Sequence, residues 1–211
     1  MAQDRLLDTA IREFGTHGLE GVSTRQIAKA AGTAMSSLTY HYGGKEQLYL
    51  AAAERIAVVM ADEFAPVLDA EEGVDTGDRE AARAAIQRIV GRFVEKMAGT
   101  RLSDHSLFIV REQMSPTAAF DTLYDGIVGR LVRRLRELVC VTTGATEEEA
   151  THATLTLIGQ AMVMRSSRAT VLRLFDAATI DADRRSDFRA QVAFNIDAIL
   201  DRMAERHGTT A

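Results

Sequence analysis

Tryptophan is absent from the 211 residues, aromatic residues of all kinds make up 6%, and there are only two prolines and one cysteine. The missing tryptophan and the scarcity of β-branched runs count against sheets, whose half-buried surfaces favour those side chains. With only Pro66 and Pro116 to interrupt it, the backbone can continue as long helices almost throughout. The lone Cys140 cannot form an internal disulfide, and its setting in LVCV reads as core packing rather than as a thiol sensor. Apolar stretches are broken by charges before they could span a bilayer, and the N-terminus lacks the charged-then-apolar layout of a signal segment. The expectation is an all-α cytoplasmic chain with no membrane partner, its 46% hydrophobic residues enough for a substantial core.

What is present is concentrated in residues 22–45, VSTRQIAKAAGTAMSSLTYHYGGK. Ser23 with Gln26 has the form of a capping box, each side chain satisfying a backbone N–H at a helix start. A helix is predicted from Thr24, with Ile27, Ala28 and Ala31 inward, and Gly32 supplies the backbone freedom of a tight turn. A second helix is predicted over about Met35 to Tyr42. Leu38 is its buried anchor, while Ser36, Ser37, Thr39, Tyr40 and His41 carry hydrogen-bonding groups that a core does not require. Such a pair is a helix-turn-helix, and its second helix suits the major groove.

The strings IAKAAG, LTYHY and GKEQLY resemble the N-terminal DNA-binding domain of TetR-family transcriptional regulators. The resemblance implies that the helix bearing LTYHY reads an operator and that the helix opened by Gly44-Lys45 clamps the phosphate backbone. Three positions depart from the common wording: Ala34 where a capping serine is frequent, Met35 where a lysine or arginine is, and Thr39 where a tyrosine is. The cap is then expected from Thr33. Further on, LFIVREQMSPTAAFDTLYDGIVGRLVRRL and LIGQAMVMRSSRATVLRL resemble the C-terminal domain of the CecR-like branch, implying helices that dimerise and enclose a pocket for a small effector.

Charge limits how DNA can be held. Residues 1–50 carry Arg5, Arg12, Arg25, Lys29 and Lys45 against Asp4, Asp8, Glu13, Glu20 and Glu46, so the N-terminal part is neutral and the remainder carries the formal −5. Counterion release should be small for one subunit. Neutral groups and helix N-termini still position a duplex, and Ser23, Thr24, Tyr40, His41, Tyr42 and Lys45 are expected in that role. Arg25, Met35, Ser36, Ser37 and Thr39 complete the expected DNA-binding set.

The rest divides at helix punctuation. A first helix over 3–17 carries Leu6, Leu7, Ala10, Ile11 and Phe14 on one face and ends at Gly15 and Gly18. The helix opened at Lys45 should kink or stop at Pro66, and the acidic 69–78 stretch reads as a loop. Helices follow over about 79–98, with Ala82, Ile86, Ile89, Val90, Phe93 and Met97 inward, and over about 103–114, carrying Leu107, Phe108, Val110 and Met114. Another is capped by Ser115-Pro116 and runs to Val141, and a further one opens with the Thr146/Glu149 capping box, where Glu147 and Glu148 also suit the helix dipole. The last, 181–205, carries the stripe Phe188, Val192, Ile196, Ile199 and Met203. The domain division expected is 1–62 for DNA binding and 63–211 for ligand binding and dimerisation, with helices 146–168 and 181–205 pairing with their symmetry mates.

No enzyme signal survives its plainer explanation. His105 beside Asp104, and Glu148 with His152, are too few for a metal site and have no accompanying motif. The glycines at 15, 18 and 21 are turn residues, and Arg133, Arg134 and Arg136 read as a solvated face, with contact to DNA or to an acidic ligand as the alternative. No cofactor is expected. Polar or polarizable side chains in apolar company are the candidates to line an effector cavity: Arg111, Gln113, Met114, Tyr124, Gln160, Met162, Met164 and Arg165, with Arg111 and Gln160 foremost. The expected function is a homodimeric repressor of double-stranded operator DNA, released by an unidentified small molecule. A small-molecule-binding or enzymatic bundle that retains the helix-turn-helix is the alternative.

Overall fold

The computed structural model describes residues 2–71, 77–99 and 104–208. All of its regular structure is helical: α1 (Ala2–Gly21), α2 (Thr24–Ala30), α3 (Met35–Tyr42), α4 (Lys45–Glu71), α5 (Arg79–Met97), α6 (Asp104–Met114), α7 (Ala118–Leu123), a π-helical turn (Tyr124–Val128), α8 (Gly129–Thr143), α9 (Glu147–Ser166), α10 (Arg168–Leu174) and α11 (Ala182–Arg206). No helix among the described residues is long and apolar enough to cross a membrane.

Packing divides the chain differently from the linear reading at residue 62. One compact unit joins residues 1–63 to 101–129; the other joins 64–100 to 130–211. The first unit thus contains α6 and α7. Its core runs through Leu6, Ile11 and Phe14 of α1, Ile27 of α2, Leu38 of α3, Leu48, Tyr49 and Ile56 of α4, Phe108 of α6 and Leu123 of α7. In the second unit α5 packs against α9 and α11, with Ile86, Ile89, Leu157, Val192, Ile196 and Leu200 buried.

Several helix ends differ from expectation for local reasons. Gly18, at φ 78° and ψ 172°, breaks α1. Gly15 does not end that helix; a Cβ there would lie 3.0 Å from the Asp104 carbonyl oxygen and 3.2 Å from the Phe108 nitrogen, so the glycine lets α6 lie against α1. Pro66 sits inside α4, which continues to Glu71. The buried Phe64 and Leu68 flank it, and their packing outweighs the backbone hydrogen bond that proline forgoes. Of the expected 69–78 loop, 69–71 are helical and 72–76 lie outside the described residues. Ser115-Pro116 does not cap α7, because the Thr117 side chain takes the Ala119 N–H instead. Both Ser23/Gln26 and Thr146/Glu149 form complete capping boxes.

Candidate nucleic-acid interface

The reading pair is built as its sequence dictates. Ser23 accepts the Gln26 N–H at 3.3 Å and the Gln26 side chain accepts the Ser23 N–H at 2.8 Å, which sets the first residue of α2. Gly32 turns the chain at φ +63°, and Leu38, fully buried, fastens α3 to the core. α3 opens without a side-chain cap: Ala34 occupies the N-cap position, so Thr33 does not take the role expected of it. Met35, Ser36, Thr39 and Tyr40 form the exposed side, Met35 at 44% and Tyr40 at 86% exposure. Ser37 is half-buried and His41 exposed. Tyr42 is half-buried, and that burial pushes its hydroxyl above the ordinary tyrosine value.

The phosphate candidates lie at neighbouring helix starts. Ser23 and Arg25 are exposed and Thr24 half-buried at the head of α2. Lys45, at the head of α4, has its ammonium 3.7 Å from the Glu20 carboxylate, so a phosphate there would compete with an exposed acid. This pairing is invisible to a net count of charges.

Behind the reading pair lies a polar arrangement the sequence did not announce. Glu112 of α6, 1% exposed, accepts the Tyr49 hydroxyl at 2.6 Å through one oxygen and the Thr117 N–H and hydroxyl at 2.9 and 3.0 Å through the other. Tyr49 itself is wedged between Phe14 and Phe108, ring centroids 4.8 and 4.6 Å away. Burial first, and then the bond to Glu112, drives its hydroxyl far above the ordinary tyrosine range. Next to Glu112, the Arg111 guanidinium donates to the carbonyls of Gly15 and Thr16 at 3.4 and 2.9 Å. These carbonyls face the break at Gly18, where a helix end leaves acceptors short of N–H partners. Only the position of Glu112 in the Phe108-Glu112 helical repeat could have marked it as inward.

The expected cavity set does not gather in one place. Arg111 is occupied with α1, Met114 is 79% exposed and Tyr124 38% exposed, all three in the first unit. Met114, a candidate to line a cavity, is not enclosed, because Glu112 and Phe108 take the buried side of α6; Gln113 is exposed as well. In the second unit Met164 packs with Ala98, Val171 and Ile180, and Met162 is half-buried. Arg165, 6% exposed, donates to the Lys96 carbonyl at 2.8 Å. Gln160 accepts from Asn195 of α11 at 2.7 Å, while its own buried Nε2 and the Thr154 hydroxyl on the same helix have no hydrogen-bond partner among the described residues. A groove of about 200 Å³ between α5 and α11, edged by Gln87, Arg88, Gly91, Arg189 and Val192, was not foreseen at all. No group of three metal-ligating side chains occurs among the described residues. Half-burial pushes the Cys140 thiol up.

A neutral, hydroxyl-rich helix presented by a capped partner defines a DNA-binding head on a helical second domain, and comparison with known proteins agrees. Residues 6–52 match the family described as "Bacterial regulatory proteins, tetR family", and residues 82–203 match "HTH-type transcriptional dual regulator CecR, C-terminal domain". The HTH-type transcriptional dual regulator CecR of Shigella flexneri is 30% identical over 97% of this chain and 94% of its own length. The repressor AcnR of Corynebacterium efficiens is 36% identical over 61 residues, 29% of this chain and 32% of its own. SCO4454, a TetR-family regulator from Streptomyces coelicolor, shares the fold with a TM-score of 0.63 at 17% identity, covering 96% of each chain. The chain belongs to the TetR family of DNA-binding transcriptional regulators, a non-enzymatic family, and carries a CecR-type C-terminal domain.

Proposed function

We propose that this regulator is a homodimeric repressor, acting in the cytoplasm, that grips a palindromic operator and releases it when a small effector binds the C-terminal helices. Ser23, Thr24, Arg25, Met35, Ser36, Ser37, Thr39, Tyr40, His41 and Lys45 make the DNA contacts. The observation that carries this reading is the outward side of α3, where Met35, Ser36, Thr39 and Tyr40 stand exposed on a helix that Leu38 and the half-buried Tyr42 fasten to the core.

The effector half of the reading is supported by α9. A buried polar group without a partner costs about 1–3 kcal/mol, and Gln160 Nε2 and Thr154 Oγ1 both stand in that state; a ligand that supplies an acceptor to Gln160 removes part of the cost. Arg111, Met114 and Tyr124 drop out of the pocket, since bonding to α1 or exposure accounts for each. Repression follows the AcnR relatives, named repressors, which match this chain only over the head. A second reading, regulation in both directions, is favoured by the relative that matches nearly the whole chain and is named a dual regulator.

Operator titration by fluorescence anisotropy, with and without compounds that raise the melting temperature, tests the proposal. An effector that weakens the operator tenfold implies a coupling of about 1.4 kcal/mol, and DNA must weaken that effector by the same factor. Gln160→Ala should shrink the response and leave ligand-free DNA binding intact. Compounds that stabilise the fold without changing operator affinity would refute effector-driven release.

A further inference from the structure

The groups α3 lacks narrow how it can read a base pair. Residues 33–42, TAMSSLTYHY, contain no Arg, Lys, Asn, Gln, Asp or Glu, the side chains that make the bidentate guanine and adenine contacts or accept from cytosine in the major groove. Two exposed pairs on α3 share a face one turn apart, Met35 with Thr39 and Ser36 with Tyr40, and the first of them carries methyl groups. The Thr39 hydroxyl donates to the Met35 carbonyl at 3.2 Å. Its proton is committed within the helix, which leaves the Thr39 methyl group and an acceptor lone pair to offer outward. Met35, in the first turn, where recognition helices meet base edges, adds an apolar, adaptable thioether.

We propose that Met35 and Thr39 are the specificity-determining residues and that they recognise the C5-methyl groups of thymine. Resting on the DNA-binding reading above, the inference assigns a substrate class: operator half-sites with thymines under the first two turns of α3. Thymine is the one base whose major-groove edge carries a methyl group, so an apolar pair can distinguish it without a bidentate hydrogen bond. Arg25 and Lys29, exposed on α2, are the arginine and lysine of the reading pair, and a guanine contact from either is the competing source of specificity.

The test starts with selection of duplexes by the full chain from a pool of random sequence. Each thymine of the selected duplex is then replaced by deoxyuridine, which lacks only the methyl, and affinity is measured by anisotropy. The expected result is thymine enrichment in each half-site and a loss of about fourfold per methyl removed there, the value of one buried methylene-sized group. Met35→Ala and Thr39→Ser, the latter keeping the hydroxyl, should weaken the thymine duplex by a similar factor and abolish the deoxyuridine penalty at one position each. Unchanged melting temperatures verify that both variants fold. A selected site indifferent to deoxyuridine, or sensitive only to 7-deazaguanine, overturns the inference while leaving a DNA-binding regulator. A penalty that persists undiminished in both variants also overturns it. No enrichment from the pool refutes the DNA-binding reading itself, and the inference with it.

Discussion

Glu112 is a buried carboxylate whose neutral donors come from two directions, Tyr49 on α4 and Thr117 at the cap of α7. Because a buried acceptor that loses a donor keeps its desolvation cost, Tyr49→Phe should destabilise the fold by about 1–3 kcal/mol near neutral pH. The pH dependence has a definite sign. The Tyr49 hydroxyl holds its proton above the ordinary value in the folded chain, so above about pH 10 the unfolded chain binds fewer protons than the folded one. The contribution is complete below the unfolded value and is lost as pH rises towards the folded one. Urea melts from about pH 8 to about pH 11 should show a steeper alkaline loss of stability in the parent than in Tyr49→Phe, and parallel curves would count against the assigned environment. Arg111 belongs to the same scale: it was expected to meet an effector, yet the α1 carbonyls beside Gly18 use its donors.

At the level of elements, the turn that follows α7 is tightly packed. The π-helical turn Tyr124–Val128 carries Gly126, and a Cβ on that residue would lie 2.8 Å from the Cβ of Ala57 on α4. Neither atom is the end of a flexible side chain, so backbone must move. Gly126→Ala should cost about 1–3 kcal/mol through overpacking, and the double variant Gly126→Ala/Ala57→Gly should regain part of the loss, apart from the helix penalty of the new glycine, about 1 kcal/mol. Thermal unfolding of the three variants measures this; independent, additive losses would mean that the close approach is not the cause. The capping boxes were legible because both partners lie three residues apart in the chain. The Gly15 and Gly126 contacts were not, because each partner lies on another helix.

For the whole molecule, dimerisation is the largest prediction. The stripe Phe188, Val192 and Ile196 expected at a subunit interface is spent inside the protomer: Val192 and Ile196 are buried, and Phe188 packs on the Met164 cluster. The free apolar side chains of α9 and α11 are Leu155 at 58%, Val163 at 38% and Phe194 at 69% exposure. An isologous interface built on these would cover them with their own symmetry copies. The parent chain should sediment at twice 23.0 kDa, and Phe194→Asp should shift it to the single mass with the helix content kept. Val192→Asp, by contrast, should unfold the protomer, a buried unpaired charge being costly. A Phe194→Asp chain that stays dimeric would move the interface away from these helices.

The sequence by itself determined the helical class, the family, and the limits of α2 and α3, because capping boxes, a turn glycine and a periodic apolar face are local signals within a few residues. It also determined what α3 can say to a base, since that depends on which side chains are missing from ten consecutive positions. Tertiary structure decided the rest. Whether Pro66 ends a helix, which acceptors the Arg111 guanidinium finds, which side of α11 faces out, and with which unit α6 packs all depend on neighbours distant in the chain. In each of these cases contact with another helix, by burial or by hydrogen bonds, outweighed the local preference.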